Sequence, residues 1–245
     1  SEAVPEFPLY DSFDYPEDNQ LVAFNIRLPC NWLQIVENAS DPIHNAFLHA
    51  IVSGQQFSPA FNVLPALDFP ETPLGFLSMA TRKVKDFVFI RASDIILPNV
   101  GQFPNGANTV DKESFGVRPY LTRWAVPLDD HRSLYIGVAH LNQYNNPTGS
   151  LRPEQFGVDL IPFIGQTADR PYKERQREPG DYDAVVGQGV IANRKAEHLG
   201  TTDRGVARVR RMLARAIGAV KDGHAPAVPR LSTGSPVRTY AHETV

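Results

Sequence analysis

Only one cysteine, Cys30, occurs in 245 residues, so this chain by itself can form no disulfide framework and no cysteine-rich metal cluster. A lone thiol suits a reducing compartment, and the cytoplasm is the expected location. An excess of charge is lacking too: 24 Lys and Arg stand against 27 Asp and Glu, a net −3 at pH 7. Nucleic acid and anionic membrane surfaces are therefore not expected partners. No apolar run approaches the ~18 residues that a membrane-spanning helix needs. The opening SEAVPEFPLY has no basic segment followed by an apolar stretch, hence no visible signal peptide. No internal repeat emerges. What is present suffices for a substantial core: 42% of residues are hydrophobic and 10% aromatic, in a length that suits one large domain or two small ones.

Proline and acidic residues break up 1–20, which reads as an N-terminal arm. QLVAFNIRLP (20–29) has strand character, and NWLQIVENAS (31–40) has helical spacing, with Trp32, Ile35 and Val36 on one side. Asp41 followed by Pro42 is a helix-start signal, so two helical pieces should meet at 40–42 instead of running on as one. Between Gly75 and Asn142, GFLSMATRKV, DFVFIRASDIIL, VRPYLTRWAV and RSLYIGVAHL are rich in β-branched and aromatic residues, with turn formers between them. Strands in series without intervening helices imply an antiparallel sheet.

Residues 143–180 read as long irregular loop, and 181–198 as a helix interrupted by Gly187 and Gly189. TTDRGVARVRRMLARAIGAV (201–220) is the clearest helix. Thr202 or Asp203 can cap it, and Val206, Val209, Leu213, Ile217 and Val220 form an apolar stripe opposite arginines expected to be solvated. Beyond it, 223–245 is proline-rich and reads as a flexible tail. The layout is α+β: residues 21–222 form a curved antiparallel sheet crossed by a long C-terminal helix, able to enclose an apolar cavity.

The chemistry concentrates in ENASDPIHNAFLH (37–49), where Asn38, Asp41 and His44 fall three residues apart and His49 follows five beyond. On an ideal helix positions five apart diverge by about 140°, so the imidazoles converge only if the helix ends or bends near His49. Two neutral imidazoles suit iron, zinc, copper or nickel, and two with one carboxylate and open positions form the donor set of non-haem Fe(II) oxygen chemistry. Asp41 can accept the outer N–H of a ligating imidazole. The spacing of two histidines alone is weak evidence. The whole string, EN-x-x-D-x-x-H-x4-H, is far more specific.

That string resembles the iron-binding segment of the Rieske non-haem iron aromatic-ring oxygenases, with Asn31, Trp32, Glu37, Asn38, Asp41, His44 and His49 as the matching positions. SDIILPNVGQFP, WAVPLDDHRSLYIG and ERQREPGDYDAVVGQGVIANRKAEHLGTTDRGVARVRRML are similar to the phthalate-dioxygenase and O-demethylase branch, so the resemblance runs from about 20 to 220. It implies a helix-grip (Bet v1/START-like) fold, His44 and His49 as iron ligands, and a third carboxylate ligand late in the chain. Asp181 is the expected residue, with Asp183 the near alternative. Asp41 would bridge toward an electron-donating cluster, and Asn38 would sit close to the iron.

The resemblance also implies partners: a 2Fe-2S Rieske cluster, a reductase drawing on NAD(P)H, a small aromatic substrate and O2. A Rieske cluster needs two Cys and two His. Cys30 alone cannot supply it, so the cluster is expected on another chain or on a domain outside this sequence. Many relatives form homotrimers; the sequence leaves the assembly open. Two other functions fit the residues: a cofactor-free protein holding a hydrophobic ligand in a helix-grip cavity, and a zinc hydrolase whose general base could only be Asp41.

Other polar and aromatic positions read blandly. Cys30 is a small buried hydrophobe, His131 a turn residue, and His198 the close of a helix. His140 faces either the cavity or a neighbouring strand, and His224 and His242 lie in the tail. Phe47, Phe87, Phe89 and Trp124 could line a pocket but are equally ordinary core.

Overall fold

Alternation in QLVAFNIRL buries Val22, Phe24, Ile26 and Leu28 and turns Leu21, Ala23 and Arg27 outward, which makes β1 (Gln20–Leu28) a strand with one face on the core. The computed structural model describes residues 7–14, 16–54, 56–105, 119–225 and 235–244. Parts of the expected arm (1–6 and 15) and tail (226–234 and 245), and the start of the expected strand at Val117 and Arg118, lie outside the described residues.

After β1 come α1 (Trp32–Ala39) and α2 (His44–Ala46), the latter running into a π-helical turn over Phe47–Val52. The sheet continues with β2 (Ala66–Asp68), β3 (Glu71–Thr72), β4 (Gly75–Val84), β5 (Phe87–Ile96), β6 (Val100–Phe103), β7 (Leu121–Pro127) and β8 (Ser133–Leu141). Then follow α3 (Tyr172–Arg177), α4 (Asp181–Val186), α5 (Arg204–Lys221) and β9 (His242–Thr244). The strand order is β1-β8-β7-β6-β5-β4-β2, antiparallel throughout, with β3 on β4 and β9 on β5. The expected antiparallel α+β layout with a C-terminal helix is what is observed.

Several local expectations need correction. Residues 242–244, placed in a flexible tail, pair with Ile90–Ala92 of β5 and bury Glu243. The apolar stripe of α5 is buried only at its start: Val206 and Val209 are covered, whereas Ile217 and Val220 are each 56% exposed. His198 follows a short 3₁₀ turn over Arg194–Ala196 and closes no helix. The irregular stretch 143–180 also contains α3, which was not expected. Cys30 is fully buried, and burial pushes its thiol pKa up to about 11.

The arginines of α5 are not merely a solvated face. Arg210 donates to Glu37 of α1 at 2.6 Å and to Glu197 at 2.7 and 2.8 Å, and Arg194 reaches Glu37 at 2.7 Å. The two helices touch closely. A Cβ on Gly205 would stand 2.0 Å from the Ser40 carbonyl oxygen, so only glycine lets α5 press on the end of α1.

On the outer sheet face lies a buried polar layer. His140 meets Thr122 Oγ1 at 3.0 Å and Asn19 Nδ2 at 3.3 Å, while Asp94 accepts from the Tyr240 N–H at 3.2 Å. Burial lifts the Asp94 pKa to about 7 and lowers that of His140 to about 4. Folded Asp94 is protonated near pH 7, whereas an unfolded aspartate is protonated only near 4, so acidification across that window stabilises the fold. Folded His140 resists protonation that an unfolded histidine accepts near 6.5, so the same acidification destabilises it. These opposed contributions separate in Asp94→Asn. At pH 8 this variant should be more stable than the parent by up to about 4 kcal/mol. Its thermal midpoint should fall more steeply between pH 7 and 5, and parallel pH curves for the two proteins would contradict the assignment.

Candidate metal centre

The helix that leads into the centre is fixed at both ends by its own side chains. Asn31 Oδ1 accepts the Leu33 N–H at 3.0 Å and opens α1, and Ser40 Oγ returns to the Val36 carbonyl at 2.8 Å where it closes. Asp41 then accepts the Ile43 N–H at 3.1 Å in a turn, and the next helical piece starts later than the Asp41-Pro42 signal indicates: Ile43, not Asp41, stands at its cap. His44 begins α2. The chain then widens into the π turn, where the Ser53 N–H reaches back five residues to the Leu48 carbonyl at 3.1 Å.

That turn resolves the spacing. A register whose bonds span five residues brings positions five apart toward one side, which an α-helix does not. His44 and His49 consequently meet, with ring centres 5.4 Å apart.

The third member arrives from a distant segment. Asp181 is the first residue of α4, and its Oδ1 lies 3.1 Å from His49 Nε2, 3.3 Å from His44 Nε2 and 3.3 Å from Asn38 Nδ2. Its Oδ2 accepts from Gln166 Nε2 at 2.6 Å. Gly165 and Gly180 stand back to back beside it: a Cβ on Gly180 would lie 2.3 Å from the Gly165 Cα. Their contact sets how far Asp181 reaches toward the histidines. Asp183 is engaged elsewhere, by Arg175 at 2.6 Å, Arg170 at 3.0 Å and the Gly180 N–H at 3.0 Å. Of the two aspartates weighed from the sequence, Asp181 is the one beside the imidazoles.

One donor atom from each of His44, His49 and Asp181 falls within a 4.8 Å cluster. The imidazoles are held from behind. His49 Nδ1 bonds Gln56 Oε1 at 2.7 Å, and His44 Nδ1 faces the Asp41 carbonyl oxygen. In each ring Nδ1–H can donate to that oxygen, and a cation placed between Nε2 and Asp181 would take the Nε2 lone pair, the tautomer that a metal ligand requires. Asn45 Nδ2, 2.9 Å from His44 Nε2, is the contact that an ion would displace.

The electrostatics agree with a cation site. Burial would raise the Asp181 carboxyl, but the two imidazoles outweigh it and hold its pKa well below the usual range. Burial disfavours charged His44, yet Asp181 and Asp41 hold its pKa above the usual value. Asp41 is raised by burial, which His44 only partly offsets. Its side chain remains 24% exposed, so the carboxylate lies within reach of the molecular surface.

These residues line one end of a cavity of about 470 Å³. Asn38, Asp41, His44, His49 and Asp181, all expected from the sequence, border it together. Phe47, Phe87, Phe89 and Trp124, for which the sequence left pocket or core open, do not border it. Trp124 packs on Tyr10, Phe89 on Phe61, and Phe47 is 49% exposed. Phe57, Phe103, Tyr120 and Phe163 line the cavity instead, with Arg91 and Arg123. His140 faces away from it. Strand alternation could have assigned Arg91, Phe103 and Arg123 to one sheet face, but only pairing register shows that this face bounds the cavity.

No family model matches the chain. It is 38% identical over 246 residues to the tert-butanol monooxygenase / tert-amyl alcohol desaturase oxygenase subunit of Aquincola tertiaricarbonis, covering 94% of this chain and 51% of that protein. It is 28% identical to the phenoxybenzoate dioxygenase subunit alpha of Ectopseudomonas oleovorans, covering 92% of this chain and 55% of that one. The chain thus spans about half the length of the curated relatives it matches. Its fold resembles dicamba monooxygenase bound to dicamba, with a TM-score of 0.54, 16% identity, and coverage of 91% of this chain and 64% of that one. Together with relatives that include O-demethylase and phthalate 4,5-dioxygenase oxygenase subunits, these matches place the chain among the Rieske-type oxygenases, aligned with about half of their oxygenase subunits.

Proposed function

We propose that His44, His49 and Asp181 hold one non-haem Fe(II), and that the chain is the catalytic part of an oxygenase acting on a small aromatic substrate. The observation that carries this reading is the convergence of two Nε2 atoms and one carboxylate oxygen at a cavity wall, with both Nδ1 atoms tied to oxygen acceptors. Iron held by three protein groups keeps open positions, and so supplies activation of O2 for hydroxylation, dihydroxylation or O-demethylation.

The chain's own residues do the positioning. Gln56 and the Asp41 carbonyl fix the two imidazole rings, Gln166 orients Asp181, and Asn38 stands beside the carboxylate. The cavity, at about 470 Å³, is within the range of small-molecule sites, and Phe57, Phe103 and Phe163 offer apolar walls to an aromatic ring. Electrons come in this reading from a Rieske cluster on another chain or domain, fed from NAD(P)H by a reductase, and enter past the partly exposed Asp41 carboxylate. A reducing cytoplasm is the compartment assigned. The cofactor-free reading is disfavoured, because a ligand-binding cavity gives no reason to aim two Nε2 atoms at one carboxylate.

Metal content after anaerobic purification tests the proposal. The expected result is about one iron per chain. No iron, with none taken up from added Fe(II), would overturn it.

A further inference from the structure

The sheet face that bounds the cavity continues past it. Ala80 and Arg91 stand opposite each other in the lining. Two residues further along β4, toward its hairpin with β5, the same face presents Arg82, opposite Phe89. Arg82 does not border the cavity, and only 1% of its surface is exposed. It lies against Phe61, on the 3₁₀ turn Pro59–Asn62. The guanidinium carbons of Arg82 and Arg91 stand 4.9 and 5.4 Å from the centre of that ring, so two cations share one aromatic side chain.

The two are provided for unequally. Arg91 meets the Glu243 carboxylate and donates to the Pro104 carbonyl oxygen at 2.9 Å. Arg82 donates from Nε to the Val63 carbonyl oxygen at 3.1 Å, and neither of its buried terminal nitrogens meets an acceptor among the described residues. Glu243, itself buried, is the carboxylate that acts on both. Two guanidinium groups thus stand against one carboxylate. Burial and the neighbouring Arg91 draw the Arg82 pKa down only to about 10, so the group keeps its charge at pH 7. A buried charge without a counter-charge is among the costliest arrangements in a fold. Buried polar groups are nearly always satisfied, and a water molecule could satisfy these N–H groups, yet it would leave the charge. An anion answers both.

We propose that Arg82 and Arg91 hold a small monovalent inorganic anion such as chloride, whose single charge completes a neutral cluster with Glu243. The terminal N–H groups of Arg82 are its main donors. Bound there, the ion ties β4 and β5 together beneath Phe61. The site uses none of the metal donors and does not depend on what the cavity takes as substrate.

Thermal unfolding in sodium chloride and in sodium gluconate at equal ionic strength tests it, because gluconate is too large for a buried site of this kind. Replacing about 200 mM gluconate by chloride should raise the thermal midpoint by roughly 4–8 °C for an ion held with a millimolar dissociation constant. Arg82→Met should abolish that difference. It removes one cation and leaves Arg91 balanced by Glu243, so the variant should stay folded, as circular dichroism checks. Should it fail to fold, Glu243→Gln takes its place: both cations then remain without their carboxylate, and the chloride effect should grow. In crystals grown from bromide, anomalous scattering should show an ion beside the terminal nitrogens of Arg82. Equal midpoints of the parent in the two salts, a chloride effect that persists in folded Arg82→Met or fails to grow in Glu243→Gln, or bromide crystals with no peak beside Arg82 would each overturn the assignment.

Discussion

Iron should fall from about one atom per chain to near zero in His44→Ala, while the far-ultraviolet spectrum stays that of the parent. The loss is large because the proposed centre has three protein donors among the described residues, and two cannot hold a ferrous ion against water and chelators. The fold survives because His44 borders the cavity and supports no packed core. Its side chain is 19% exposed and its contacts are polar, to Asp181, Asp41 and Asn45. Stability should change by no more than about 1 kcal/mol. Asp183→Asn is the matched control: it weakens the clamp from Arg170 and Arg175 but keeps all three donors, so its iron should remain near the parent level. Iron retained in a folded His44→Ala protein would remove His44 from the ligand set.

Glu37→Ala should lower stability by about 3 kcal/mol, the low end of what breaking a buried ion pair costs. Glu37 is 6% exposed and faces Arg210 at 2.6 Å and Arg194 at 2.7 Å, with Glu197 as the second carboxylate of the group. Two cations balance two anions. Taking away the buried anion leaves both arginines to Glu197. Arg210 and Arg194 keep 25% and 34% of their side-chain surface in water, and this partial solvation holds the penalty to the low end. At this chain length the thermal midpoint should drop by roughly 6–12 °C. A drop below about 2 °C would mean that the pair contributes no more than an ordinary surface bridge.

The legible parts of the molecule were those encoded over short distances. Asn38, Asp41, His44 and His49 lie within a dozen residues, and their spacing carried both the chemistry and the need for a distorted helix at His49. The form of that distortion was not legible, because nothing in FLHAIV favours a π turn over an α turn until packing selects it. Asp181 was reached only through resemblance, since no local pattern separates it from Asp183; the arginines that occupy Asp183 make the distinction. Nothing in the sequence sets Arg91 and Arg123 apart from other strand residues. Their place in the cavity depends on register and curvature, which are properties of the whole sheet. β9 was missed for the same reason, as HET has no strand pattern and owes its position to Arg91, far away in the chain. The second half of α5 erred in the opposite direction: its periodicity was correct, but the described chain brings nothing to cover Ile217 and Val220.

His49 and Asp181 are separated by 132 residues, with β2 to β8 lying between them. Closing a loop of that length costs about 4 kcal/mol of chain entropy, and neither segment contains anything that offsets it. The strand ladders do, and they must form first. An ion offered to the unfolded chain finds at most the neighbouring pair His44 and His49, which cannot nucleate the topology. The full set of donors is therefore a late event in folding, and in the proposed assignment uptake of a metal would report that the last long-range contacts are in place.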